Sequence, residues 1–414
     1  MNKRLLAACT ALAAAALSAC SHLPGGGGTT TVTVWLMKDS ASQSFLDRFE
    51  ESFEAEHEDI DLDIRIQEWT GIGDKINAVL RGDETADVIE VGNTQVAIYA
   101  ESDKLTDLTL ESVRDWGSKD WLPGLSDPGT VNGAQYGIPW YAANRVVIYN
   151  KDLFAKAGIS EPPKDREQWL KDTKKLDEGS QQGIYLAGQN WYVLAGFIWD
   201  EGGNLAEESG GIWSGTLDSP AALKGMDFYK ELQQLGEGPK DADEETPPQT
   251  EVFAGGDVAQ IIAPPGSARL VEQLNPELEG KLGYFPVPGK TEDKPGAVFT
   301  GGSDLIVPGT TKNRRAAVKV ITALTGEKWQ TDLARSMSYV PNKTSLAYVS
   351  MGSEGTAAMA AGAAQGRATP TLARWAQVEA NNPIKPYMTA VLEGEDPEKA
   401  AEAATATITQ MLGG

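Results

Sequence analysis

The chain contains 414 residues, a length that is long for one domain and typical of two. Its net charge is −23. This charge argues against a nucleic-acid-binding protein, because phosphates must be neutralised by Lys and Arg side chains, and against broad electrostatic binding to anionic lipid. The two cysteines, Cys9 and Cys20, and the two histidines, His22 and His57, lie in no pattern typical of a catalytic triad or a zinc site. We therefore expect no disulfide, no metal site and no cofactor.

The N-terminal residues have the pattern of a secretory signal peptide. A basic start, MNKR, precedes an apolar run at residues 5–17 that is too short to span a membrane as a helix. The sequence LSAC that follows resembles a bacterial lipobox, which implies cleavage before Cys20, a lipid on its sulfur, and a protein anchored at the outer face of the cell membrane. We expect residues 1–19 to be the signal peptide and residues 20–30 to be the lipidated cysteine and a flexible tether. The alternative is an ordinary cleaved signal with an incidental cysteine.

Strand and helix patterns alternate after the tether. Strands are predicted at residues 31–36, 60–66 and 86–92, which are rich in β-branched residues or alternate between apolar and polar positions. Two helices between them carry apolar residues at helical spacing: Phe45, Leu46, Phe49 and Phe53, then Ile72, Ile76, Val79 and Leu80. This order predicts an α/β layer with parallel strands.

Ligands in such layers bind outside the carboxyl ends of the strands. The predicted strand ends carry Asp39, Glu68 and Asn93, which we therefore take as candidate ligand-binding residues. Acidic residues are abundant in this chain, so a solvated surface position is the alternative for the two carboxylates.

Several later segments have patterns that predict further elements. An apolar strand leading into a helix is predicted at residues 136–159, an acidic exposed loop at 237–251, and strands at 257–266 and 297–309 that end at Pro and Gly residues. A final helix is predicted after Asp396, with a proline at its first position.

The order of these segments resembles the extracellular solute-binding proteins of bacterial ABC importers, in the carbohydrate-binding branch that includes maltose-binding protein. The sequences that carry the resemblance are GIPWYAANRVVIYNKDLFAKAGI, FAGGDVAQIIAPPG, FTGGSDLIVPGTTKNRRAAVKVITAL and TPTLARWAQVE. The resemblance implies a two-lobed α/β periplasmic-binding-protein fold of type II, with lobes built from discontinuous segments and the ligand cleft between them. We expect residues 31–140 and 300–338 in lobe 1, and residues 141–299 and 339–414 in lobe 2.

A sugar site needs aromatic rings for the apolar C–H faces and polar groups for the hydroxyls. Trp191 and Trp375 fall where the family places stacking aromatics, and two further aromatic residues follow an Ile-Pro pair at the first expected lobe crossing. The alternatives are core packing for Trp191 and hinge packing at the crossing. The candidates in these segments are Trp140, Tyr141, Asn190, Trp191, Arg374 and Trp375.

Two turns rich in small residues complete the candidate site. Gly266 follows two prolines, and Gly302 and Ser303 lie in a predicted strand-end turn. Glycine allows a backbone to approach a ligand closely, although a plain bulge would have the same pattern.

The resemblance implies binding without chemistry. The protein would capture an oligosaccharide and deliver it to a membrane permease driven by a cytoplasmic ATPase, and we expect a monomer. N,N′-diacetylchitobiose is the favoured ligand, followed by other disaccharides such as cellobiose, xylobiose or maltose. The alternatives are a non-sugar solute such as a polyamine on the same fold and, less favoured, a secreted glycoside hydrolase with two catalytic carboxylates.

Overall fold

A computed structural model of the protein describes residues 29–363, 365–370 and 372–413. The predicted signal peptide, Cys20 and most of the predicted tether lie outside the described residues. None of the helices in the described part of the chain is long and apolar enough to cross a membrane.

The first third of the described chain alternates between strands and helices. Its elements are β1 (Thr30–Met37), α1 (Gln43–Glu56), β2 (Ile60–Gln67), α2 (Ile72–Arg81), β3 (Val88–Gly92), α3 (Val96–Ala100), α4 (Thr109–Arg114), α5 (Pro123–Ser126), β4 (Thr130–Val131), β5 (Ala134–Gln135), β6 (Ile138–Asn144) and β7 (Val146–Asn150). A 3₁₀ turn, Asn93–Gln95, follows β3 directly.

Helices predominate in the remainder. In chain order, these elements are α6 (Lys151–Lys156), α7 (Arg166–Leu176), α8 (Trp191–Asp200), β8 (Ala206–Ser209), β9 (Ile212–Gly215), α9 (Pro220–Gln233), α10 (Gln249–Ala254), β10 (Gln260–Ala263), α11 (Ser267–Leu274), β11 (Leu282–Phe285), β12 (Pro288–Thr291), β13 (Lys294–Pro295), β14 (Val298–Ile306), α12 (Arg314–Leu324), α13 (Glu327–Met337), β15 (Val340–Pro341), α14 (Glu354–Ala363), β16 (Gly366–Arg367), α15 (Ala373–Asn381), α16 (Ile384–Glu393) and α17 (Pro397–Leu412).

The first body of the fold, which we call lobe 1, is built on a mixed sheet. Its strand order is β15–β6–β14–β3–β1–β2, with β16 paired to β14. β1 is parallel to both β2 and β3, which confirms the predicted strand–helix–strand–helix–strand unit, whereas β14 is antiparallel to β3 and β6.

Both faces of this sheet are covered. Val32, Val34 and Leu36 of β1 pack in the same apolar cluster as α1, whereas Trp35 and Met37 pack in the cluster that contains α2. Burial on both faces is typical of parallel strands between helices, and it places the carboxyl end of β1 at the sheet edge where a ligand can bind.

The second body, lobe 2, contains an antiparallel sheet with the order β10–β7–β11. Helix α8 lies deep in this lobe: every residue from Trp191 to Trp199 except Tyr192 is buried, as expected for a helix that is apolar on nearly all sides. The last helix, α17, begins as predicted, with the Asp396 carboxylate capping it and Pro397 at its first position.

Strands of the two lobes are joined where β6 meets β7 and along β14, a region that we call the waist. β6 ends at Asn144 and β7 begins at Val146, so Arg145 alone separates strands of the two sheets. β14 contributes Val298 to the core of lobe 2 and Leu305 to the core of lobe 1, and β15 pairs with β6 beside it. The lobe boundaries near residues 140, 300 and 338 remain predictions.

Candidate ligand-binding cleft

Three aromatic side chains of lobe 2 meet beside Arg145. The Tyr192 ring lies 4.1 Å from the Trp191 ring and 4.5 Å from the Phe299 ring, centroid to centroid. The Arg145 guanidinium lies 4.6 Å above the Tyr192 ring and forms an ion pair with Glu244 at 2.8 Å. Aromatic rings beside charged groups are the components expected of a sugar site. Trp191 and Phe299 are themselves buried in the core of lobe 2, which fits the core-packing alternative for Trp191.

Asn190, which directly precedes α8, is a buried amide with unmet hydrogen bonds. The residue is 1% exposed, and neither the oxygen nor the nitrogen of its side-chain amide has a hydrogen-bond partner among the described residues. It does not cap α8 through its side chain either. Since buried polar atoms are nearly always paired, a buried amide with both ends free is a strong candidate for ligand contact.

Glu379 connects two of the predicted segments, because it bonds both to Trp375 and to Thr94, the neighbour of Asn93. The carboxylate of Glu379 on α15 accepts a hydrogen bond from the Trp375 indole at 2.9 Å and from the Thr94 hydroxyl, next to Asn93, at 2.7 Å. Asn93 is 4% exposed and its own side chain accepts from the Thr94 backbone N–H. Burial raises the pKa of Glu379, and its hydroxyl and indole donors oppose that shift.

Acidic groups of both lobes face one another at the end of β1. Burial raises the pKa of Asp39, which lies next to Lys38 and near Glu68 in lobe 1 and is close to Thr250 in lobe 2. Lys38 forms an ion pair with Glu68 at 3.5 Å, and the Glu68 side chain is 59% exposed. The structure thus places Asp39 at the lobe boundary and Glu68 at its solvated rim.

The loop at residues 237–251 differs from the prediction of an exposed acidic segment. The Glu244 side chain is 14% exposed in its ion pair with Arg145. Burial, followed by the charges of Glu244 and Asp39, raises the pKa of Glu245 to about 8. Part of this loop therefore forms a wall of the lobe boundary, because Arg145 draws it inward.

Trp140 and Tyr141 lie in packed interior and not in the cleft. Trp140 is fully buried in the apolar core of lobe 1. The Tyr141 ring stacks on Tyr339 at 4.2 Å, and its hydroxyl lies 3.2 Å from a Glu90 oxygen. Because β6 runs between β14 and β15 in the sheet, both residues fit the hinge-packing alternative.

The two turns of small residues are also structural. Ser303 is 2% exposed and its hydroxyl lies 3.2 Å from that of Tyr141. A Cβ on Gly302 would collide with the Tyr141 carbonyl oxygen, and one on Gly266 would lie 2.6 Å from the Met337 carbonyl oxygen. Glycine is required at both positions for close approach of protein backbone, and not of a ligand.

Arg374 points to a different neighbour from Trp375. Its guanidinium donates to the Leu412 carbonyl oxygen at 3.0 Å, at the C-terminus of α17. The charge satisfies a free carbonyl of that helix end, so we leave Arg374 out of the proposed cleft.

Sequence reasoning missed several residues that the structure brings to this boundary. Tyr192 adjoins a predicted residue, and Glu379 follows Trp375 by four positions, which places both on one face of a helix; either could have been found. Arg145 and Glu245 gave no comparable signal, because their environment depends on segments a hundred residues apart. Across the described residues, no group of three or more His, Cys, Asp or Glu side chains is arranged to hold a metal ion.

Comparison with known proteins assigns the chain to a family. Residues 36–331 match the model of the bacterial extracellular solute-binding protein family. The diacetylchitobiose binding protein DasA of Streptomyces coelicolor is 37% identical over 374 residues, which cover 90% of this chain and 87% of that protein.

Solved structures show the same fold. The GacH receptor of Streptomyces glaucescens has a TM-score of 0.81 at 24% identity and covers 93% of this chain and 99% of its own. Maltose-bound MalE3 of T. maritima has a TM-score of 0.79 at 22% identity and covers 92% and 99%. The predicted family and the predicted two-lobed type II fold are confirmed: the chain belongs to the bacterial extracellular solute-binding protein family.

Proposed function

We propose that this protein is the substrate-binding component of an ABC sugar importer and that its ligand is N,N′-diacetylchitobiose. The observation that carries the proposal is the buried, unpartnered amide of Asn190, which directly precedes Trp191 and Tyr192 in the chain. The 37% identity with a diacetylchitobiose binding protein over most of both chains supports the same ligand.

The chemistry of an acetamido group matches this corner of the cleft. Such a group carries one N–H donor, one carbonyl acceptor and a methyl group. The side chain of Asn190 offers a carbonyl acceptor and an NH₂ donor in return, and the neighbouring rings offer an apolar surface for the methyl group.

The family's members are binding proteins, and we propose that this protein likewise releases its sugar uncleaved and needs no cofactor. Its partners would be the ligand, a membrane permease and a cytoplasmic ATPase, with the binding protein acting as a monomer. Closing of the lobes around sugar would favour the form that the permease accepts.

We also propose that Cys20 carries a lipid that holds the protein at the outer face of the cell membrane; the LSAC sequence supports this.

A polyamine is the second candidate ligand. Asp39 and Glu245 approach one another from opposite lobes, and the pKa of each is raised in part by neighbouring carboxylates. A cation placed between them would relieve this repulsion. Spermidine is therefore the control ligand against which the sugar is judged.

Asn190→Asp tests the sugar assignment at its main contact. The change keeps the shape of the side chain and removes its donor, so the affinity for diacetylchitobiose should fall by roughly tenfold to a hundredfold. Isothermal titration calorimetry measures the effect. The control is Asn381→Asp on the exposed face of α15, which should bind like the wild type. Equal affinities in all three proteins would contradict the role of Asn190.

A further inference from the structure

The carboxylate of Glu379 joins the two lobes through three hydrogen bonds. One oxygen accepts from the Trp375 indole and from the Thr369 hydroxyl, both at 2.9 Å, and the other accepts from the Thr94 hydroxyl at 2.7 Å. The Glu379 residue is only 8% exposed. Hydrogen bonds to a buried carboxylate are short and strong compared with those between neutral groups.

The three donors come from opposite sides of the cleft. Thr94 belongs to the 3₁₀ turn at the carboxyl end of β3 in lobe 1, and it is 285 residues away from Glu379 in the chain. Trp375 lies one helical turn before Glu379 on α15, and its ring is part of the apolar core of lobe 2. Thr369 belongs to the segment that leads into α15.

Separation of the lobes would break one of these bonds and leave the other two. Moving Thr94 away would leave one oxygen of a buried carboxylate without its donor, which is unfavourable unless water replaces it. The oxygen that holds the Trp375 indole belongs to the same carboxylate, so any rotation of Glu379 towards water would also move that hydrogen bond.

We propose that Glu379 is a positioning residue that couples closure of the lobes to the orientation of the Trp375 ring. Thr94 locks the carboxylate when the lobes meet, and the locked carboxylate holds the buried Trp375 indole in a single orientation. The effect of this coupling on sugar binding rests on the proposed function, whereas the coupling itself is a property of the ligand-free protein.

Thr94→Val removes the hydroxyl from lobe 1 and keeps the side-chain shape. The distance between the lobes is measured by pulsed electron resonance on spin labels at Leu110→Cys of lobe 1 and Ile212→Cys of lobe 2. These residues are 64% and 62% exposed; Cys20 is replaced by Ser to leave no other thiol in the mature chain. In the ligand-free protein, the open fraction should rise roughly tenfold, as expected from the loss of one hydrogen bond to a charged group.

The orientation of Trp375 is followed in the same variant by the indole N–H resonance of protein labelled with ¹⁵N-tryptophan, assigned with Trp375→Phe. This resonance should shift and broaden in Thr94→Val. Thr94→Ser, which restores a hydroxyl, should return both signals to their wild-type values. Thr407→Val on the exposed face of α17, where the hydroxyl donates within the helix, should change neither.

Two results would overturn the coupling: unchanged lobe distances in Thr94→Val, or a changed distance with an unchanged Trp375 resonance. Thr94→Ala gives a second substitution if Thr94→Val melts at a lower temperature than the wild type by circular dichroism. Failure of the wild type to bind any sugar would instead overturn the proposed function, and the ligand-free measurements would still decide the coupling.

Discussion

Glu90 is a fully buried carboxyl group beneath the loop that carries Asp39. It accepts hydrogen bonds from the Met37 backbone N–H and the Ser40 hydroxyl, both at 2.7 Å, and the Tyr141 hydroxyl lies 3.2 Å away. Burial raises its pKa to about 7, although these donors oppose the shift. The group therefore takes up a proton on folding in mildly acidic solution.

This shift predicts a pH dependence of stability. Because the folded-state pKa is above the ordinary glutamate pKa of 4.5, the contribution of Glu90 is fully present below about pH 4.5 and is lost as the pH rises towards 7. Between pH 5 and pH 8 the free energy of unfolding of the wild type, relative to Glu90→Gln, should fall by about 2–3 kcal/mol.

Urea unfolding across this pH range measures the difference, and the other buried acids cancel because both proteins contain them. Glu58→Gln, at an exposed position, is the control and should give a curve parallel to that of the wild type. Parallel curves for Glu90→Gln as well would show that Glu90 keeps an ordinary pKa in the folded protein.

The candidate ligand-binding residues chosen from the sequence differ in where the structure places them. Trp375 stands in a segment that carries the family resemblance and bonds to Glu379 at the lobe boundary, although the residue is only 1% exposed. Asn190 stands outside those segments, and the structure buries its amide directly before α8. Trp140 also stands in such a segment, yet it is fully buried in the apolar cluster of lobe 1, together with residues of α12 and α13 that come much later in the chain. Whether a side chain faces the cleft or the core depends on how distant segments assemble, so the local sequence could not distinguish these residues.

At the scale of elements, the junction of β6 and β14 depends on glycine. A Cβ on Gly302 would collide with the Tyr141 carbonyl oxygen and lie 2.5 Å from a methyl group of Leu125, whereas one on Gly92, paired opposite Ser303, would meet nothing closer than 3.9 Å. Gly302→Ala should therefore lower the free energy of unfolding by about 1–3 kcal/mol.

Gly92→Ala is the matched control and should stay within about 0.5 kcal/mol of the wild type. Chemical unfolding of both variants measures the two values. If Gly302→Ala were as stable as Gly92→Ala, the close approach of these strands would be wrong.

Helix α15 shows why periodicity predicts part of a site. Trp375 and Glu379 are four residues apart and hydrogen-bond to one another, and Glu379 also accepts from Thr94 of lobe 1, whereas Arg374 turns towards the end of α17. Helical spacing places Trp375 and Glu379 on one face of α15 and Arg374 on another. The sequence does not show which face will meet the other lobe.

At the scale of the whole molecule, the two lobes meet along side chains that are charged or polar. Arg145 at the waist, the Asp39 and Glu245 carboxyl groups, and the Glu379–Thr94 bond all lie at or beside the boundary. Boundaries of this kind can open and close, because water can replace their hydrogen bonds at moderate cost, and hinge closure around a ligand is the motion that such folds support.

The most direct test of the account is the ligand selectivity of the lipid-free chain, residues 21–414. Intrinsic tryptophan fluorescence is titrated with N,N′-diacetylchitobiose, with cellobiose, which has the same linkage without acetamido groups, and with spermidine. We expect a saturable change with diacetylchitobiose, affinity for cellobiose lower by about a hundredfold because two acetamido groups are missing, and no saturation with spermidine. Saturation with spermidine and not with either sugar would contradict the assignment of a carbohydrate ligand.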